Sequence, residues 1–250
     1  MSSVMDFVNE KFTCGMLPPI LSAMHSCEGF DCESIVEDRQ LKPTLCKVFN
    51  ENLLYLFYGK PSYPIGEKKE NRTDDLYCPV CFLVDVNKID IKKVFPFDSG
   101  AYVGGMYDGF IHRHMKIDCF EIQNTCQAIG AYISVFFGNN DNYISGLARQ
   151  YQSNESHINA LLNMLNAVGS LKIDERANTI EIITNSPIDI TDSIQGIILP
   201  RSLMRKEKIV KWIEQYKIPY KTYTVRRLTS PLRYNEKVFD LAMEFMEEIK

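Results

Sequence analysis

The sequence is poor in the features that most quickly reveal a role. It has a single tryptophan and four histidines, and 28 basic against 32 acidic residues leave a net charge of only −4. That balance argues against bulk, sequence-blind nucleic-acid binding, while leaving room for a local basic patch. No stretch approaches the roughly 18 apolar residues of a membrane span. The opening segment, MSSVMDFVNEKF, lacks a basic n-region and an apolar run, so no signal peptide is expected and the protein is expected to be cytoplasmic. Internal repeats, low-complexity linkers and lipidation motifs are missing. So are the P-loop, GxGxxG after a strand, the GxSxG elbow and HExxH, which removes the common nucleotide, serine-hydrolase and zinc-protease templates.

Cysteines are present but show no framework. Eight are spread over positions 14 to 126, and without export they read as reduced thiols that pack as small core residues. Cys78 and Cys81 have the spacing of half a zinc knuckle. They sit in YCPVCFLVDV, which reads as a buried strand, and no second pair follows at knuckle spacing, so no structural metal is expected. His112 and His114 flank Arg113 without a carboxylate or thiol partner and are expected on a surface loop. The glycines of YVGGMYDG (102–109) lack the spacing of a phosphate cradle and read as a tight turn.

The composition, 45% hydrophobic and 24% charged, is that of a globular domain. Pro18-Pro19 precedes a first candidate strand over Ile20–His25. A short helix follows over Asp31–Leu41, with Ile35 and Leu41 inward, and then an aromatic strand over Leu53–Tyr58 closed by Gly59 and Pro61. Residues 62–75 read as a flexible polar loop, Cys78–Val86 as a strand and Lys88–Gly109 as irregular. Helical spacing runs over Asp118–Phe137 and Ser153–Val168. The last third alternates: strands at Thr179–Thr184 and Gln195–Leu199, an amphipathic helix over Leu203–Tyr216, an edge strand at Lys221–Val225 and a closing helix over Tyr234–Lys250. This pattern predicts an α+β fold in a single domain, 1–250, with a central helical insertion at about 104–170.

Three segments concentrate chemistry. MHSCEG places His25 and Ser26 at a strand end. LYLFYGKPSY delivers Tyr58, Lys60 and Tyr63 to a Gly/Pro turn. ERANTIEII carries Glu181 on a strand whose alternation puts Thr179, Glu181 and Ile183 on one face and Ile180 and Ile182 on the other. The Glu face is mixed, so the carboxylate is read either as pointing to solvent or as facing a cleft. Likewise Tyr58 fits core or stacking, Lys60 a solvated turn or an anion contact, and Arg176 a surface pair with Asp174 or Glu175.

In order, the three segments resemble the ADP-ribosyltransferase fold and, within it, the DarT-type toxins. The likeness rests on His25-Ser26, Ile35 to Leu41, LYLFYGKPSY, Arg176-Ala177 before Glu181, and QGIILP after it, and covers about half the chain. It implies a split β-sheet, NAD as co-substrate and transfer of ADP-ribose to a macromolecule, with nucleic acid favoured. It further implies a toxin or anti-phage role with a neutralising antitoxin protein. By residue, it implies Glu181 as the catalytic carboxylate, Lys60 on the diphosphate or acceptor, His25 at the adenosine ribose and Ser26 at the nicotinamide amide. Tyr58 or Tyr63 would stack on the nicotinamide ring. Lys60 stands where these enzymes usually carry arginine, and an ammonium cannot make the same bidentate fork. The basic residues between 201 and 233 are a candidate acceptor face or a solvated helix face. NAD hydrolysis and a catalytically inactive binding module are the alternatives.

Overall fold

The computed structural model describes residues 3–13, 15–62, 75–167, 175–226 and 233–249. The protein is a mixed α and β structure that divides into two compact units. The first comprises Met1–Ile20, Cys46–Asn50 and Ile91–Ile183; the second comprises Leu21–Leu45, Glu51–Asp90 and Thr184–Lys250. The segment expected as a helical insertion, 104–170, falls entirely in the first.

The first unit opens with a helix the sequence reading did not anticipate, α1 (Val4–Lys11). Ser3 and Asp6 form a reciprocal capping box that satisfies its first free amides, a signature visible in SSVMD. Its apolar side, Val4, Met5, Phe7 and Val8, is buried, with Phe7 against Phe136 at 5.7 Å and Tyr151 at 5.8 Å between ring centroids. Phe136 belongs to α4 (Cys126–Phe136), which is buried on nearly every side and so forms the centre of this unit. The helix expected over Asp118–Phe137 is shorter than its apolar pattern. Residues Ile117–Phe120 form a 3-10 turn, Ile122 bridges Val94, and α4 starts only where the Thr125 side chain accepts from the Ala128 amide. Further helices are α3 (Ser99–Val103), α5 (Asn140–Ile144) and α6 (Ser156–Ala167). Two strands complete the unit: β6 (Lys93–Phe95), inside the stretch expected to be irregular, and β7 (Glu181–Thr184). They pair antiparallel, with Phe95 opposite Glu181.

The second unit is built on a mixed sheet. Its strands are β1 (Ala23–Glu28), β4 (Glu51–Tyr58), β5 (Pro79–Val84), β9 (Ile194–Pro200) and β10 (Tyr220–Tyr223), in the order β10-β9-β5-β1-β4. The β1–β4, β1–β5 and β5–β9 pairs are antiparallel; β9 and β10 are parallel and joined through α7 (Glu207–Tyr216), as parallel neighbours need a crossover. Central β5 is buried at all six positions, which explains its unbroken apolar run. Phe82 meets Trp212 of α7, and closing helix α8 (Tyr234–Ile249) lays Phe245 over Gly196, where a Cβ would sit 3.0 Å from the ring. The remaining strands are short: β2 (Gln40–Leu41) pairs with β8 (Ile188–Asp189), and β3 (Thr44–Cys46) follows β2. The helix expected over Asp31–Leu41 is α2 (Gly29–Asp38), stopped by Arg39 in the left-handed conformation (φ 55°), so that buried Leu41 is a strand residue. The first strand lies three residues later than its apolar run suggested. The β1–β5 register pairs every residue from Ala23 to Glu28, while Ile20 is 52% exposed.

Among the described residues, no helix is long and apolar enough to cross a membrane.

Candidate active site

Glu181 begins β7 in the first unit. All four residues of this strand are buried, and Glu181 itself is 2% exposed. The solvent-facing alternative is therefore overturned: both faces of β7 are covered, which a two-residue period cannot reveal. The strand is led in by an ordered turn. Glu175–Asn178 form a 3-10 segment, the Thr179 hydroxyl donates to the Glu175 carbonyl at 2.7 Å, and the Ile180 amide donates to the Tyr143 hydroxyl of α5 at 3.0 Å. The side chain then reaches the start of α3, where the Ser99 amide donates to its Oε2 at 3.1 Å.

Removal from water dominates the electrostatics of this carboxyl. Burial, reinforced by the negative charge of Asp98 and more weakly by Cys46, pushes its pKa from 4.5 up to about 8, against the opposing hydrogen bond from the Ser99 amide. At neutral pH the group is mostly a neutral acid; above about pH 8 it is an anion. Such a side chain can donate a proton or, once ionised, stabilise positive charge.

Asp98, Ser99 and Arg176 were not singled out as a constellation by the sequence. Asp98 is the N-cap of α3, its Oδ1 accepting from the Ala101 amide at 2.8 Å, and Asp-Ser-Gly is a recognisable cap signature. Nothing in that signature says that the capped turn meets Glu181. Arg176 is likewise a buried residue rather than a surface one. It is 7% exposed, and its guanidinium donates to Asp98 Oδ2 at 3.3 Å and to the Met106 sulfur at 3.2 Å.

The other predicted site residues belong to the second unit. His25 and Ser26 lie in the middle of β1 rather than at its end, opposite Phe82 and Cys81 of β5. The His25 Nδ1 is 3.0 Å from the Tyr55 carbonyl, which makes Nδ1 the protonated nitrogen and leaves Nε2 as an acceptor. Burial lowers the pKa of the ring below 6.5, although that carbonyl and Asp31 oppose the shift, so the imidazole is neutral at pH 7. Ser26 is half-buried, with its hydroxyl toward the Cys81 thiol, itself pushed up to about 12 by burial.

Tyr58 is a core residue. It is 2% exposed, and its hydroxyl accepts from the Leu21 amide at 2.9 Å. That overturns its assignment as a stacking platform, because an enclosed ring offers no open face. Gly59 turns the chain after β4 with φ 73°, a conformation suited to glycine, and donates its amide to the Ser22 carbonyl. Lys60 follows and is 2% exposed, so the solvated-turn alternative for it is also overturned. Tyr63 lies outside the described residues, as does most of the loop expected over 62–75.

His112 and His114 are exposed and contact each other edge to face at 5.1 Å, and Gly105 (φ 76°) makes the expected tight turn. Among the described residues, no three His, Cys, Asp or Glu side chains gather as metal ligands. Much of the basic stretch is neutralised locally: Lys206 pairs with Glu33, Lys208 with Glu37, Lys211 with Glu207, and Lys221 with Glu244 and Glu248. Compared with protein-family models, curated proteins and solved structures, the chain finds no match in any of the three.

Proposed function

We propose that this protein is a NAD-dependent ADP-ribosyltransferase in which Glu181 is the catalytic carboxylate. The observation that carries the reading is the buried Glu181 side chain, held by the Ser99 amide and poised to ionise near pH 8. Packing alone asks for an apolar residue on a strand covered on both faces, and an ionisable group kept there at a cost is a mark of functional sites. The resemblance of His25-Ser26, LYLFYGKPSY and the segment around Glu181 to DarT-type enzymes supplies the reaction class, and the split-sheet fold belongs to the same proposal.

In this reaction the bond between ribose C1′ and the nicotinamide nitrogen breaks, and its electron pair leaves on neutral nicotinamide. A lone pair of the acceptor forms the new bond to C1′, and the acceptor gives up a proton. Positive charge builds on the ribose along the way, as in glycoside hydrolysis. An anionic Glu181 stabilises that charge; a protonated one does not. Turnover is therefore expected to rise with pH, with a kcat/KM midpoint near the pKa of about 8. The nicotinamide ring of NAD is cationic, so bound NAD favours the anion and moves the kcat midpoint lower.

The roles of His25 at a ribose hydroxyl, Ser26 at the nicotinamide amide and Lys60 at the diphosphate or acceptor rest on the DarT-type resemblance alone. The stacking role passes from Tyr58 to Tyr63. A nucleic-acid acceptor fits the DarT-type likeness, as does an effector role held in check by an antitoxin. With four of the five lysines of the 201–233 stretch engaged in ion pairs, Lys217 and the arginines would carry most of any contact with phosphate.

The test is to incubate the purified protein with labelled NAD and DNA, RNA or no acceptor, following nicotinamide release and label transfer. Transfer of label to macromolecule is expected. Nicotinamide with only free ADP-ribose identifies a hydrolase, and no release identifies a binding module. Glu181→Gln should lower turnover by a hundred- to thousandfold, corresponding to about 3–4 kcal/mol of lost transition-state stabilisation, with NAD affinity little changed. Turnover that survives the substitution removes Glu181 from the mechanism.

A further inference from the structure

Glu181 does not hold its own orientation. Its Oε2 is fixed by the Ser99 amide at 3.1 Å, and Ser99 is the first residue of α3, so the direction of that N–H depends on how the preceding turn is held. Two contacts made by Asp98 hold it. Its Oδ1 caps the helix through the Ala101 amide at 2.8 Å, and its own amide donates to the Arg176 carbonyl at 3.0 Å. The Arg176 side chain returns to Asp98 Oδ2 at 3.3 Å, so one residue grips the turn through both backbone and side chain. Arg176 also lies only five positions before Glu181, in the 3-10 segment that leads into β7. The clamp thus ties the carboxylate's donor to the chain that carries the carboxylate.

We propose that Asp98 and Arg176 are positioning residues for Glu181: their ion pair clamps the turn whose Ser99 amide holds one carboxylate oxygen. This rests on the reading of Glu181 as the catalytic carboxylate. The pair is 7% exposed on the Arg176 side and its partner is a cap, so its cost in desolvated charge is met where a neutral cap would have served the helix equally well. What the charge of Asp98 adds is a field at Glu181. It opposes ionisation, while Arg176 pairs with the aspartate itself. Among the described residues of this unit the Cys46 thiol also bears on the carboxyl. Lys93, on the neighbouring strand, directs its ammonium to Glu121 at 3.2 Å and over the Phe49 and Phe95 rings.

The clamp is tested with the full chain carrying Asp98→Asn, which keeps the shape and the cap acceptor but removes the charge, and Asp98→Ser as a smaller cap should the first fold poorly. In the NAD assay, kcat is expected to fall about tenfold with KM within about twofold, the pattern of lost orientation rather than lost binding. Its pH midpoint should move down by at least about half a unit, because a like charge beside Glu181 is gone. Urea unfolding between pH 4 and 9 gives a readout independent of activity. The pH at which stability falls should move down in Asp98→Asn, and the shift should vanish when Glu181→Gln is also present. Midpoints that stay at their wild-type positions in both measurements overturn the clamp. If the wild-type protein does not turn over NAD, the proposed function fails by itself, and the unfolding series still decides the clamp: a shift that depends on Glu181 supports it, and an unmoved midpoint overturns it.

Discussion

Glu181 in the first unit and His25 in the second are both removed from water, and the consequence is opposite in direction but alike in outcome. Burial raises the pKa of the carboxyl to about 8 and lowers that of the imidazole below 6.5. Each is thereby driven to its uncharged form, since a low-dielectric surrounding penalises charge of either sign. Their neighbours differ. At Glu181 the charge of Asp98 adds to the effect of burial and only Ser99 resists it; at His25 both the Tyr55 carbonyl and Asp31 resist. One site is organised to resist becoming charged, the other to hold a fixed tautomer.

The largest effect that separates the two concerns stability against pH. Glu181 binds its proton more tightly in the folded protein than in the unfolded chain, so its contribution is fully present below pH 4.5 and is lost as pH rises through about 8. Across that window stability should fall by about 1.4 kcal/mol per pH unit from this group alone. Glu181→Gln should flatten the slope, measured as unfolding free energy in urea at a series of pH values. A slope unchanged by the substitution would mean that Glu181 is not the buried acid described here.

An intermediate effect is expected from a buried polar group that cannot ionise in this range. Tyr58→Phe removes the acceptor of the Leu21 amide and leaves that N–H enclosed without its partner. The cost should be about 1–3 kcal/mol and the same at every pH between 5 and 8. A pH-dependent loss would break the distinction between ionisable and neutral buried groups.

The smallest effect belongs to His25. Its folded pKa is depressed, so the unfolded chain binds the proton more readily, and stability should decline as pH falls below 6.5, opposite in sign to Glu181. His25→Gln should remove that acid-side decline, seen most clearly in the Glu181→Gln background. Direct titration of the His25 ring by NMR, showing a pKa at or above 6.5, would contradict its neutral assignment.

Much of the architecture was legible in residue order. YCPVCFLVDV reads as a fully buried strand and contains β5, all six of whose positions are covered. The apolar stripe of the segment ending at Tyr216 appears in α7 as buried Ile209, Trp212 and Ile213. LLYLFY lies within β4, and TIEIIT contains β7. Element ends were less legible, because they depend on caps and pairing partners. Asp118–Phe137 has an apolar pattern throughout, yet the helix waits for Thr125. The capping box at Ser3 is legible in the sequence, but a helix so short is stabilised by what Phe7 packs against rather than by its own propensity.

The candidate site divides in the same way. Sequence alone placed a glutamate in an apolar strand and a histidine followed by a serine at the end of another, and it determined that Gly59 closes the strand ending at Tyr58. Tertiary structure alone decided that both faces of β7 are covered, that Tyr58 is enclosed, and that Arg176 is buried and meets Asp98. Alternation along a strand has a period of two and reports how its faces differ, not whether a second layer covers the more polar one. The donor to Glu181 lies 82 residues away along the chain and the partner of Arg176 lies 78 away. Contacts at such separations leave no local pattern in the sequence, and the pKa of a buried acid is set by those contacts and by the water they exclude.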